Sequence, residues 1–277
     1  MSDAAATGSV AGAAADGGVA VKPGRHREAS LYHALHGAGA GDGRSLEQLR
    51  EAALRAYEAL ELPVWRRSGF WTTSLQSVEL DTLRTSVPAA QAQVPEVVTR
   101  TLPERPRAGR IVQSAGAVVH VELDEALAER GVILCSLEQA FAQHRELASA
   151  WYSRRLTIDR HKLEAANAAF WTGGAFLYVP AGVVVEDPFE IVYAIDRAGV
   201  AQYGRTLVLG DTGSEFRVHE YDLADEFEGG GQSLHAGAFE LYLNDGARCR
   251  LAQYQDWSPA HPGEVFDVST RFVGVGR

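Results

Sequence analysis

Two stretches of this chain can be laid one on the other. Leu207-Val208-Leu209 leads through a Gly-Asp-Thr-Gly turn into Ser214-Glu215-Phe216-Arg217-Val218-His219-Glu220-Tyr221. Leu241-Tyr242-Leu243 leads through Asn-Asp-Gly into Ala247-Arg248-Cys249-Arg250-Leu251-Ala252-Gln253-Tyr254. From the turn onward the offset is 33 residues, Ser214 against Ala247, and an arginine and a tyrosine recur at matched positions. A fainter copy precedes them: Phe176 and Tyr178, a turn at Pro180-Ala181-Gly182, then Val183 and Val185. Strand, tight turn and strand returning at such a spacing predict a solenoid. The Val, Leu, Phe and Tyr content with alternating polar residues favours strands. Neither copy holds a helical segment that would build a leucine-rich or ankyrin unit, so a parallel β-helix is expected. A β-sandwich or jelly roll with look-alike hairpins is the alternative.

Three motifs lie in or beside this stretch. Asn167-Ala168-Ala169-Phe170 is followed by Gly173-Gly174, Phe176, Tyr178-Val179-Pro180 and Gly182-Val183. Gly230-Gly231 precedes Ser233-Leu234, and Gly246-Ala247 precedes Gln255 and Trp257. In these motifs the chain resembles the SufB/SufD family of iron–sulfur cluster assembly scaffold proteins, well over its second half and loosely over its first. Gly131-Val132-Ile133 with Ser136-Leu137-Glu138 and Ala140 extends the likeness. Leu62-Pro63 through Leu75 is similar to the family's opening motif, with Phe70 where a tryptophan is expected and Thr72 where a tyrosine is. That variant form is nearer to SufD than to SufB.

The resemblance implies an α+β N-terminal unit followed by a right-handed parallel β-helix. It implies a non-catalytic, SufD-like scaffold that pairs with a SufB-like paralogue and is coupled to the SufC ATPase. A homodimer is the other pairing. An iron–sulfur cluster is expected at the level of the complex, with none held directly by this chain. Members of the family continue further and end in a helical segment that contacts SufC. The β-helix is therefore expected to be truncated here, its last rung at Val268–Arg277 lacking the cap that a solenoid needs.

Charge narrows the classes of partner. The formal net charge is −10, which repels phosphate backbones and anionic lipid, so neither nucleic acid nor a membrane surface is expected. The two cysteines, Cys135 and Cys249, are far apart and outside any C-x-x-C, which disfavours a disulfide framework or structural zinc and points to a reducing, cytoplasmic setting. The amino terminus has neither the basic start nor the apolar run of a signal peptide.

Along the chain, residues 1–44 are Ala/Gly-rich and read as a disordered tail, in which His33 and His36 sit on a half-formed helix. Residues 45–165 read as a small α/β domain and 166–277 as the partial β-helix, with the boundary near 160–174. Ser45-x-x-Gln48 and Ser136-x-x-Gln139 are capping boxes opening helices that run to Leu60 and to about Trp151. Asp124–Arg130 reads as a helix ended by Gly131, Val118–Val121 and Val132–Leu134 as strands, and a further helix is expected from Asp159 to the Gly173-Gly174 stop.

Three residues are candidates for chemistry. Residues two apart on a strand share a face, so Cys249, with Leu251, is expected inside, while Arg248, Arg250 and Tyr254 point out. An interior thiol would relay sulfur or ligate iron only against the cost of burying a thiolate, and an inert structural role is the expected one. His219 and His235 flank the acidic stretch Glu220–Glu228, whose carboxylates are hard-metal ligand types. A solvated loop is the bland reading of that stretch and the preferred one. No catalytic residue is assigned. P-loop, G-x-S-x-G and H-E-x-x-H motifs are absent. The rival function is a carbohydrate-active β-helix enzyme, lyase or hydrolase, with Glu215 and Glu240 as outer-groove carboxylates. A surface carrying Arg217, Arg248 and Arg250 equally suits protein docking.

Overall fold

The computed structural model describes residues 45–66, 72–75, 77–85, 93–102, 104–226, 231–257 and 265–277. The tail expected over 1–44, with His33 and His36, and the Phe70-Trp71 pair lie outside the described residues. A short antiparallel pair, β1 (Val64–Arg66) and β2 (Thr72–Ser74), precedes the main body.

From residue 175 onward the chain visits three sheets in a fixed order. The first takes β6 (Ala175–Val179), β9 (Arg205–Gly210), β12 (Ala238–Leu243) and β15 (Thr270–Val275), all parallel. The second takes β7 (Val184–Ile195), β10 (Glu215–Ala224) and β13 (Arg248–Asp256), and the third β8 (Ala201–Gln202), β11 (Ser233–His235) and β14 (Val265–Asp267). Each strand therefore lies beside its counterpart one period away. Phe216 stands opposite Cys249 and Tyr221 opposite Tyr254. The fainter copy joins the same stack, with Phe176 opposite Leu207 and a register shift between Glu215 and Arg217 where β7 bulges.

One detail of the sequence superposition is a residue out. Leu207-Val208-Leu209 matched to Leu241-Tyr242-Leu243 places Leu207 against Leu241, whereas the structure pairs Leu207 with Glu240 and Val208 with Leu241. The side-chain period of a strand is two, so a slip of one exchanges the two faces. Val208 and Leu241 lie on the inside with Leu177, Phe189, Ile191, Phe216 and Val218. Leu207 and Leu209 face outward, against the helices.

Residues before the expected boundary enter the same sheets. β3 (Gly109–Ser114) runs parallel to β7, and β4 (Ala117–Leu123) pairs antiparallel with β3. β5 (Ile133–Cys135) pairs antiparallel with β6. β3 was not anticipated: only Ile111-Val112 is apolar there, yet all six residues are buried. The strands expected in a separate N-terminal unit thus share two sheets with those beyond residue 174.

The helices are α1 (Leu46–Ala59), α2 (Glu96–Thr101), α3 (Glu125–Glu129), α4 (Leu137–Gln143), α5 (Arg145–Trp151) and α6 (Lys162–Phe170). Both capping boxes form, Ser45 with Gln48 and Ser136 with Gln139. The single helix expected to reach Trp151 breaks into α4 and α5 at His144, whose φ of −127° and ψ of 40° are not helical. α6 starts later than Asp159 because His161 is its cap, the ring Nδ1 accepting from the Glu164 N–H. Gly174 has a φ of +67°, and a Cβ there would meet the Arg205 carbonyl oxygen at 2.8 Å. Only glycine lets α6 turn so close to β9.

α5 and α6 are fastened to the first sheet by buried polar groups. Asn167 Nδ2 donates to the carbonyls of Gly204 and Ala236, both at 2.7 Å, and its Oδ1 accepts from Arg205 Nη1 at 3.2 Å. Arg205 Nη2 reaches Glu240 Oε2 at 2.5 Å, and both side chains are buried. Glu240 also accepts from the Ser153 and Arg155 backbone N–H groups and from Tyr242 Oη. Glu240 is therefore not an outer-groove carboxylate: it is fully buried, because helices cover the outer face of the first sheet. Removing one partner leaves a buried charge without compensation. Glu240→Ala should cost about 3–5 kcal/mol in denaturant unfolding, and joint replacement as Arg205→Met with Glu240→Leu should recover most of that loss.

Candidate functional site

Inside the stack, the second sheet changes character along its strands. β10 turns Phe216, Val218, Glu220 and Asp222 inward, all buried. By register their neighbours are Ile191 and Tyr193 on β7 and Gln253 and Gln255 on β13. On β10 and β13 the apolar half of the strand is thus followed by a polar half, faced from the other sheets by Gln202, His235, Asp267 and Arg271.

Glu220 Oε1 accepts from Arg271 Nη2 at 2.9 Å and from Gln253 Nε2 at 3.3 Å. The same Gln253 amide donates to Asp222 Oδ2 at 2.5 Å, and Arg271 Nη2 lies 3.6 Å from that oxygen. Asp222 Oδ1 accepts no hydrogen bond among the described residues and faces His235 Nε2 at 3.7 Å. His235 Nδ1 is 3.4 Å from Gln202 Oε1, and its ring lies between Tyr193 and Trp257, at centroid distances of 5.4 and 5.6 Å. Asp267 accepts from Gln255 and Ser269.

Burial governs the ionisation here. It pushes Glu220 up to about 7, with the Asp222 charge adding and Arg271 opposing. It pushes Asp222 up to about 7 as well, with Asp267 adding and Gln253 and Arg271 opposing. Two carboxyls sharing one amide and one guanidinium out of water titrate as a pair near neutrality, so the cluster can hold and release a proton. Burial lowers His235, which favours the neutral ring.

The three sequence candidates are placed apart. His235 belongs to this cluster. His219 lies on the opposite face of β10, its Nδ1 3.4 Å from Arg105 Nη2, and burial and that guanidinium lower it. Cys249 packs against the apolar cluster of Phe216 and Val218, where burial pushes its thiol up to about 12. Cys135 on β5 is pushed up to about 12 by the same cause. No group of three or more His, Cys, Asp or Glu suited to a metal ion occurs among the described residues.

The stretch read as an acidic loop is strand as far as Ala224, and its side chains divide between the two faces. Asp225 then accepts from the Val97 N–H at 2.9 Å at the start of α2. Residues 227–230 lie outside the described residues. Sequence reasoning missed Glu220 and Asp222 as an interior pair. The signal was present: both fall in the same alternation as Phe216 and Val218, with Gln253 and Gln255 at the repeat-related positions.

Comparison with known proteins bears on most of the chain. The sequence profile of the SufBD protein N-terminal region matches residues 31–191. An iron–sulfur cluster assembly SufBD family protein of Staphylococcus aureus strain USA300 is 27% identical over 215 residues, covering 73% of this chain and 45% of the relative. A protein of the same description in Staphylococcus saprophyticus is 27% identical over 187 residues, covering 65% of this chain and 39% of the relative. The chain thus spans less than half the length of these curated relatives. No helix among the described residues is long and apolar enough to cross a membrane.

Because the folded state keeps protons on Glu220 and Asp222 that the unfolded chain releases near pH 4, stability should fall as pH rises from about 4 to about 7 and level off above. Asp222→Asn should therefore melt above the parent at pH 8, with the gap closing by pH 4. The two thiols, protonated and shielded, should be alkylated by iodoacetamide at pH 8 at least about tenfold more slowly in the native protein than in denaturant.

Proposed function

The chain belongs to the SufBD protein family, and on that premise we propose that it is a non-catalytic scaffold in iron–sulfur cluster assembly. Its three parallel sheets form the coils of a right-handed β-helix. In this reading it is the SufD-like member of a SufBCD-type complex, in a cytoplasmic setting, pairing laterally with a SufB-like paralogue. Strain from ATP turnover in a SufC-type ATPase opens and closes the pair, and the cluster forms at the level of the complex.

The observation that carries this reading is the repeated register. Strands stacked one period apart make a stiff body whose strand edges and outer faces suit the presentation of a partner's ligands. The thiols fit the role as well, since both are shielded and hard to ionise. The carbohydrate-enzyme reading loses its carboxylates: Glu240 is locked to Arg205, and Glu215 stands opposite Arg248 rather than opposite a second acid.

The test is anaerobic co-expression of the tagged chain with a SufB-like paralogue and a SufC-type ATPase, followed by affinity purification and light scattering. The expected result is stoichiometric recovery of the paralogue, with cluster absorbance in the complex and none in the chain alone. Recovery of the chain alone as a monomer would overturn the pairing.

A further inference from the structure

The outer face of the second sheet carries charges that no ion pair among the described residues takes up. On β10 and β13, Arg217 stands directly opposite Arg250, Glu215 opposite Arg248, and Tyr221 opposite Tyr254. The three arginines are exposed, and Tyr254 is 46% exposed. The side chains of Arg217, Arg248 and Arg250 form no hydrogen bond or ion pair with a described residue. Elsewhere the pattern is the reverse: Arg105 and Arg110 share Glu190, Arg107 meets Glu122, Arg205 meets Glu240 and Arg271 meets Glu220. Like charges directly opposite on neighbouring strands are destabilising, and no ion pair among the described residues offsets the Arg217/Arg250 pair.

The same face already accepts a covering segment. Val97, Val98 and Leu102 lie over Val112, Val192, Ala194 and Leu223. Arg105 then reaches Tyr221, where that cover ends. Beyond it the arginines and Tyr254, whose ring centroid is 6.0 Å from that of half-buried Tyr221, lie open among the described residues. Arginine and tyrosine on a rigid surface are the residue types on which protein interfaces concentrate their binding energy.

We propose that this face docks an extended acidic segment of a partner polypeptide, its alternate carboxylates on Arg217, Arg248 and Arg250 and an aromatic residue against Tyr254. The spacing suits such a segment: residues two apart on a strand rise by about 6.8 Å, so carboxylates at alternate positions repeat with the period of Arg248 and Arg250. Charge complementarity selects the class. The chain as a whole carries −10, which disfavours the long phosphate backbone of a nucleic acid but leaves a short carboxylate segment free to bind locally.

The probe is a fluorescein-labelled ten-residue peptide with glutamate at alternate positions and one phenylalanine, titrated with the full chain by fluorescence anisotropy in low salt. Saturable binding is expected, weakened at least about tenfold by Arg217→Gln with Arg250→Gln and severalfold by Tyr254→Ala. Arg250→Gln alone should lower affinity while raising Tm by about 1–2 °C, since it removes the like-charge pair. A merely structural arginine would move both quantities down. The proposal fails if the peptide does not bind, or if the double variant binds it unchanged. It also fails if a labelled oligothymidylate of equal charge binds as tightly as the peptide.

Discussion

The Arg205–Glu240 ion pair is the joint on which the arrangement depends. It lies where the outer face of the first sheet meets α5 and α6, and it satisfies backbone donors of both Ser153 and Arg155. Asn167 extends it by binding two strand-end carbonyls, those of Gly204 and Ala236, in successive rungs. A buried pair of this kind contributes little net stability against an apolar replacement, because both charges lose water. Its value is positional. The helices can sit on the stack in one register only, since any slip would leave a guanidinium, a carboxylate and several amides buried without partners.

The interior of the stack is governed by a related constraint. Parallel stacking in register sets residues one period apart side by side, so each inward position becomes a row running through the rungs. Apolar rows, such as Phe189 and Val218, gain by transfer from water. The row Ile191, Glu220, Gln253 and the row Tyr193, Asp222, Gln255 must instead find hydrogen bonds across the interior. They find them through amides and one guanidinium, and the shortage of positive charge appears as two carboxyls that ionise only near neutrality.

Legibility followed the range of the interactions. Capping boxes at Ser45 and Ser136 were readable because a cap is closed within four residues. The 33-residue period was readable because turns and strand composition recur locally. β3 was not, because its burial comes from β4 on one side and β7 on the other, distant in the chain, and its own six residues include Arg110, Gln113 and Ser114. Of the three candidate residues, His235 lies in the interior cluster, while His219 and Cys249 lie away from it.

The sequence by itself determined the repeat, the turns, the capped helices and the family, since each is written in local pattern. Only the tertiary structure decided what covers each face. Alternation puts Glu240 on the outer face of its strand, and it is the helices over that face, with Arg205, that bury it and keep it from being a groove residue. The physical reason is the period of two in a strand: identity is local, but inside and outside are set by what packs on each face.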